Sequence, residues 1–593
     1  MREVKVSVLI VGGGASGLSA SNFLADLGVD SLLIERHAST ASLPKAHYLN
    51  QRTMEIFRHH DLADAVYAKG SPRKNMGKSH WYTSLGGDGP VDGLRFVTVD
   101  IMGGGGFTGV YDLKGVTPPT NIPQIRLEPI IAGIAAERTP GGVLFRHELV
   151  SFEQDADGVT ALVRNLETGE DHQVRCRYML GADANKTVGP ALGIKMIGPS
   201  GLADIVTIHF AADLSRYLPE DDSVLRMIVH PDQVASAGQH TGGLLAFGPT
   251  HWDGRSEEWG ASFGVPSDYV LDESRMGDAV KALLKIDVPV TVMWISRWSV
   301  EAVVADRFQK GRVFIIGDAA HKHSPFAGLG MNSGIQDAHN ICWKLAMVLK
   351  GDAPPSLLES YERERKPVVE HNAEWSLFAF NNHDILISSL GISNGAPPAH
   401  NVAQFAKLMA DTRDGRARRA RMREVFNLTR IEYGVHDLEM GFAYPDGAIV
   451  GDGEPLPERD PLGYDYRPSS HPGRRLPHAW LRLDGQAVST HDLLPMGGLL
   501  VIAGRRGQSW CAAANRLAAE TGLRIRAVTV GDGAEAADPS GIWGEVSEIG
   551  DDGALLVRPD AHVGFRAVSG VADPYATLRQ ALETVLAGGS RPS

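Results

Sequence analysis

Residues 4–36 read VKVSVLIVGGGASGLSASNFLADLGVDSLLIER, and this stretch decides the fold. Val4 to Val11 is an apolar run of strand length. Leu18 to Leu27 carries apolar residues at helical spacing, and Ser31 to Ile34 is a second apolar run, so the chain opens strand, turn, helix, strand. The turn is Gly12-Gly13-Gly14-Ala15-Ser16-Gly17, a G-x-G-x-x-G lying directly between strand and helix. Glycines there permit the tight turn, close approach of backbone to a pyrophosphate and packing of helix on strand, while the helix N-terminus offers free N–H groups and a favourable dipole. Glu35 ends the second strand, 23 residues after Gly12, where a carboxylate can accept hydrogen bonds from both adenosine ribose hydroxyls. Glu35 with the adjoining Arg36 is therefore counted with a dinucleotide site, together with Gly12, Gly14, Ala15, Ser16 and Gly17.

A second segment bears on which dinucleotide. Gly311 to Asn332 reads GRVFIIGDAAHKHSPFAGLGMN. A buried strand ends in Gly317-Asp318, which can aim one carboxylate at a ribityl hydroxyl. The loop Pro325-x-x-Gly328-x-Gly330-Met331-Asn332 then opens a helix whose Ile335, Ala338, Cys342, Leu345 and Leu349 share a face. Backbone N–H groups at such a helix start stabilise negative charge, such as that on the pyrimidine edge of a reduced flavin. FAD is the expected cofactor.

The rest of the chain sets limits. At 593 residues it needs two or three cores. A net charge of -13 argues against nucleic acid as a partner. Three cysteines, Cys176, Cys342 and Cys511, lie too far apart for a disulfide framework or a zinc site, and no metal is expected. No apolar run approaches the roughly 20 residues of a membrane span, and the N-terminus has no signal-peptide pattern, so a cytoplasmic protein is expected. Between about Ser71 and Pro119 the chain is glycine-rich and reads as excursion and loop. From Leu202 to Trp298, alternating segments predict a sheet-rich insert. Past the basic stretch Asp411 to Arg423, strands at Leu499–Ala503, Ile525–Val530 and Ala554–Val557 with helices from Ser509 and near Tyr575 follow the order of a thioredoxin-like fold.

Taken together, Gly12 to Gly17, the run Ala46-His47-Tyr48-Leu49-Asn50-Gln51-Arg52-Thr53-Met54-Glu55, Pro123-Gln124 before Leu127-Glu128-Pro129, and Gly317 through Ala338 resemble the flavoprotein aromatic hydroxylases of the p-hydroxybenzoate hydroxylase fold. The similarity is greatest to the 2,4-dichlorophenol 6-monooxygenase and phenol hydroxylase branch. The resemblance implies an α/β architecture: a Rossmann-like FAD-binding domain of the glutathione reductase type (1–200 and 300–400), an inserted substrate domain (201–299 with part of 71–119), a linker (401–450) and a thioredoxin-like domain (451–593). It implies an oligomer, a dimer or larger, and a single-component enzyme in which NAD(P)H reduces FAD, O2 forms a flavin C4a-hydroperoxide, and oxygen passes to a phenol-like ring ortho to its hydroxyl. It further implies that Gln124 and Asp318 meet the ribityl chain, Pro325 the flavin and substrate edge, and Gly330 to Asn332 the isoalloxazine pyrimidine end, with Gly328 and Lys45 among the cofactor-binding residues and Arg52 either near the flavin or structural. The family usually has Arg where this chain has Lys45, and a Lys cannot make the planar bidentate contact of a guanidinium. Its Asp-Gly-x-x-Ser segment stands here as Asp183-Ala184-Asn185-Lys186-Thr187.

For the substrate, His47 is the leading polar group, since an imidazole suits removal of a phenolic proton near neutral pH; the competing reading is that it only orders its loop. Further pocket candidates in the insert are His209, Arg226, His230, Trp252 and Trp294. Two alternatives stay open. One is a flavin-dependent halogenase or reductase on the same scaffold, although Met293 to Trp298 lacks the Trp-x-Trp-x-Ile-Pro pattern of halogenases. The other is a flavin-binding regulatory protein without turnover, which substrate-stimulated NAD(P)H oxidation would distinguish.

Overall fold

The computed structural model describes residues 2–219, 221–232, 241–393 and 395–589. The opening strand, Arg2–Val11, is buried on both faces at Val8, Leu9 and Ile10, which is why its apolar run is continuous rather than alternating. It pairs in parallel with Ser31–Glu35 on one side and Asp171–Gly181 on the other. Val143–Phe145 and Val313–Ile315 extend the parallel sheet at its two ends. Helices Ala15–Asp26 and Gly330–Lys350 cover one face side by side, Cys342 Sγ lying 3.7 Å from the carbonyl of Ala20. Strands His147–Gln154 and Val159–Asn165 form an antiparallel excursion off Asp171–Gly181.

A second sheet has seven strands in the order Thr291–Ser299, Asp204–Ala211, Glu258–Val265, Thr241–Gly248, Leu225–Val229, Lys78–Tyr82, Arg95–Asp100. Residues 71–119, expected to be loop, thus supply two strands. Lys78–Tyr82 escaped detection because both its faces are covered, so it shows no alternation: Tyr82 faces one core of this sheet and Trp81 another. The stretch 401–450, expected to be a linker, is helical over much of its length. Helices Pro398–Met409 and Arg413–Asn427 pack Phe405, Leu408, Met422 and Phe426 on Trp81, Val97 and Val229 of the second sheet. Their many exposed arginines made a solvated tether out of what is an amphipathic cover.

A third sheet follows the order Gln486–Ser489, Trp480–Leu483, Ala536–Ala537, Ile525–Val530, Leu499–Gly504, Ala554–Val557, Val563–Ala567. Leu499–Gly504 and Ile525–Val530 are parallel across helix Gln508–Thr521, and Ala554–Val557 and Val563–Ala567 run antiparallel before helix Pro574–Leu586. This C-terminal part is fastened to the rest by buried charge. Arg558 donates to both oxygens of Glu364, on helix Ser360–Asn381, and to Asp560, and Lys344 reaches the same Glu364 at 2.7 Å. Burial alone would raise the Glu364 carboxyl, but Arg558 and Lys344 bring it down to about 2.

Candidate active site

The first strand, the second sheet and the helices after 380 enclose a cavity of about 1850 Å³ that runs from the glycine turn to the second sheet. Its volume exceeds the roughly 300–1,000 Å³ of a site for one small ligand, so it can hold a dinucleotide and a second molecule. At one end, Gly12 has φ +114°, and a Cβ there would run into the carbonyl of Ala182. A Cβ on Gly17 would strike the carbonyl of Gly12, so Gly17 sets the packing of helix on strand and does not line the cavity. Gly14, Ala15 and Ser16 do line it, and the helix that they begin has no side-chain cap, leaving its first amides for a ligand. Glu35 accepts from Gly13 N at 2.7 Å and His37 N at 2.8 Å, and lines the same end with Arg36 and Lys45.

Gln124, Glu128 and Asp318 also line the cavity, with Glu128 beside Gly14 of the glycine turn. Glu128, quoted in the motif but not counted as a site residue, accepts from Gln124 Nε2 at 2.5 Å and Ala41 N at 2.7 Å, and burial raises its carboxyl. Gly317 (φ +59°) and Gly334 close around Ser16 Oγ, locking the Asp318 strand end against the first helix. Pro325, Gly328, Gly330 and Met331 line the cavity, and nothing lies within 4 Å of a Cβ built on Gly330. Asn332 does not line it: its Oδ1 accepts from Asn50 N, and its Nδ2 donates to the carbonyls of Tyr48 and Gly328, so it clamps the loop from behind. In the altered segment, Asp183 Oδ2 accepts from Thr187 N and Val188 N, while Ala184 and Asn185 adopt φ +56° and +61°. Ala184 thus occupies a left-handed conformation that favours the family's glycine.

His47 lines the cavity, and its Nδ1 lies 2.6 Å from Asn121 Oδ1. Because a carbonyl oxygen only accepts, Nδ1 carries the proton and Nε2 is left as an acceptor. Burial lowers the imidazole, keeping it neutral. The far end is largely apolar: Leu225, Met227, Leu245, Phe247, Trp298 and Tyr433 line it, with the hydroxyls of Thr207, Ser262 and Ser296 among them. The second sheet explains which candidates it admits. Leu225 and Met227 face the cavity, so Arg226 points to the opposite face, fully buried and paired with Asp221. His209 is bound to Glu258 at 2.8 Å, and His230 to the carbonyl of Leu283. His209, Arg226, His230 and the buried Trp252 do not line the cavity, whereas Trp294 does, 50% exposed on the edge strand. Arg52 is also outside: it bonds to Glu55 and to the carbonyl of Asp560. Tyr433 and Glu439 were missed because they fall in the presumed linker. Glu439 is buried, accepts the Tyr48 hydroxyl at 2.9 Å, and is pushed up to about 8 by burial.

These features fit FAD: an uncapped helix start beside a strand-end carboxylate, and a glycine loop with open space where a side chain would intrude. The comparisons agree. Residues 5–376 match the FAD binding domain family, and residues 469–588 match the aromatic-ring hydroxylase C-terminal family. The chain is 35% identical to the 2,4-dichlorophenol 6-monooxygenase of Delftia acidovorans, covering 98% of each chain. It is 34% identical to the phenol 2-monooxygenase of Pseudomonas sp. (strain EST1001), over 100% of this chain and 94% of the other. Among solved structures, the flavin-dependent monooxygenase PieE in complex with FAD and substrate superposes with a TM-score of 0.90 at 34% identity, covering 99% of this chain and 100% of that one. The fold and site define an FAD-binding flavoprotein. The chain belongs to the FAD-dependent aromatic-ring hydroxylases.

Proposed function

We propose that the protein hydroxylates a phenol-like aromatic or heteroaromatic ring, ortho to an existing hydroxyl, with NAD(P)H and O2 as cosubstrates. Overall, a ring C–H, O2, NAD(P)H and a proton become a ring C–OH, water and NAD(P)+. FAD, when bound, supplies the exchange of electrons with NAD(P)H and the activation of O2. Gly12 to Ser16 and Glu35 would hold its adenosine and pyrophosphate, Gln124 and Asp318 its ribityl chain, and Pro325 to Met331 its ring. The single observation that carries the reading is the continuity of one cavity from that glycine turn to an apolar end lined by Phe247, Met227 and Trp298.

The chain's own tasks are to orient the ring, exclude water and make the ring electron-rich. The apolar wall serves the first two. His47 Nε2, the acceptor on a neutral imidazole, would take the phenolic proton, favouring the phenolate. The sheet orders support a Rossmann-like FAD domain, an inserted substrate domain that reaches into 71–119 and 401–440, and a thioredoxin-like C-terminal domain serving as scaffold or dimer contact. The net charge of -13 supports a small-molecule partner over nucleic acid, and the protein would work as a cytoplasmic homo-oligomer.

A panel of phenols and pyridinols, scored for NAD(P)H-dependent oxygen uptake against peroxide release, tests this. A fitting ring should give hydroxylated product with little peroxide. Ligands that bind while no NAD(P)H is consumed would favour a regulatory flavoprotein, and halogenated product in the presence of bromide would favour the halogenase.

A further inference from the structure

On the wall that the second sheet gives to the cavity, two hydroxyls stand side by side. Thr207 and Ser262 are direct partners across the strands Asp204–Ala211 and Glu258–Val265, and Gly243 and then Met227 continue the row on the next two strands. All four line the cavity, while Val206, Ile208 and Ala261, their neighbours in sequence, are buried in a core on the opposite face. Thr207 Oγ1 lies 2.8 Å from Ser262 Oγ and accepts from Trp298 Nε1 at 3.1 Å. Two hydroxyls carry two protons, and only one can lie between the two oxygens. If Thr207 donates to Ser262, the Ser262 proton is left over. If Ser262 donates, Thr207 already accepts twice and its own proton is left over. In either arrangement the pair keeps one O–H that has no acceptor among the described residues.

Beyond Ser262 the row turns apolar. A Cβ on Gly243 would lie 3.7 Å from Leu225 Cδ1 and 3.9 Å from Met227 Sδ, ordinary contact distances, so the missing side chain leaves a small hollow walled by Leu225 and Met227. Among the described residues, none that this sheet contributes to the cavity lining is cationic. A neutral oxygen therefore suits the spare proton, whereas a carboxylate would be buried there without a counter-charge. We propose that Thr207 and Ser262 are specificity residues that donate this hydrogen bond to an ether oxygen of the substrate, whose alkyl end fills the hollow over Gly243, so that the preferred ring is an alkoxyphenol. This rests on the hydroxylase reading above and narrows its substrate class.

The test is equilibrium binding to the FAD-loaded protein, by calorimetry, of 2-, 3- and 4-methoxyphenol against 2-, 3- and 4-ethylphenol, pairs that differ only in an oxygen for a methylene. At least one methoxyphenol should bind about fivefold more tightly than the ethylphenol of the same substitution, a comparison that needs no variant to fold. Because either hydroxyl can supply the donor, Thr207→Val and Ser262→Ala should each keep part of this preference and the double variant should lose it, a non-additive loss that a merely structural role would not give. Gly243→Val should weaken methoxyphenol and ethylphenol more than phenol itself. Equal binding within all three pairs, a preference that survives in the double variant, or a Gly243→Val variant that binds every ligand as before would overturn the proposal while leaving the hydroxylase reading intact. If neither series binds, the proposal falls, and oxygen uptake across the wider phenol panel judges the hydroxylase reading separately.

Discussion

His47 is held at one nitrogen by Asn121, which fixes its tautomer and suits the base proposed for it. His47→Ala should keep FAD yet lose coupled hydroxylation by about a hundredfold or more, the lower range for removal of a general base; unchanged coupling would remove His47 from the chemistry. Because burial lowers its imidazole below 6.5, the acid limb of the rate profile should lie below that pH and disappear in the variant. Ala184 is a second local test. Its left-handed backbone costs an L-residue about 1–2 kcal/mol that glycine avoids, so Ala184→Gly should raise stability in a denaturant titration, and a lower midpoint would contradict the strain. At this scale the residues of the glycine turn were legible because their spacing serves one geometric purpose. His209, Arg226 and Arg52 were not, because polar type does not say which face of a strand or helix a side chain takes.

Elements carry the cofactor loop. Gly317 is wedged against Ser16 with positive φ, whereas Gly330 opens onto empty space. Gly330→Val should therefore leave the fold intact by circular dichroism but weaken FAD binding by about tenfold or more, while Gly317→Ala should lower thermal stability along with FAD retention. If Gly330→Val bound FAD normally, the loop would not be the flavin's seat. Strands with continuous apolar runs, Arg2–Val11 and Leu499–Gly504, and the helix Gly330–Lys350 could be read directly. The strand Lys78–Tyr82 and the helices of 398–440 could not: the first is covered on both faces and glycine-flanked, and the second present a narrow apolar stripe amid arginines. Glu439 went unseen with them.

Across the whole molecule, the C-terminal sheet is joined to the cofactor domain by Arg558, Glu364, Lys344 and Asp560, with Arg475 paired to Glu55 and Arg52 bound to the carbonyl of Asp560. Breaking a buried pair by removing one partner costs about 3–5 kcal/mol, so Arg558→Met should destabilise the protein by that order, and a small loss would mean that the domain is merely tethered. Stability should also fall with acid. His59, His436, His478 and His562 are lowered to between about 3 and about 4 by burial, so below pH 6.5 the unfolded chain takes up protons that the folded one refuses. Glu364, held at about 2, adds to the loss below about 4.5. Glu439 acts in the opposite direction, since a carboxyl raised to about 8 loses stability as pH rises from 4.5 through 8, and Glu439→Gln should remove that component of the melting profile. This interdomain bolt was invisible in the sequence, because the partners that cross between the two parts stand from 194 to 508 residues apart. The central claim, that the glycine turn and the Gly317–Asn332 loop together grip one flavin beside a pocket for a hydroxylated ring, is tested most directly by the visible absorbance of the purified protein titrated first with FAD and then with a phenol. A stoichiometric flavin whose spectrum shifts saturably with the phenol is predicted; a protein that stays colourless after added FAD would contradict it.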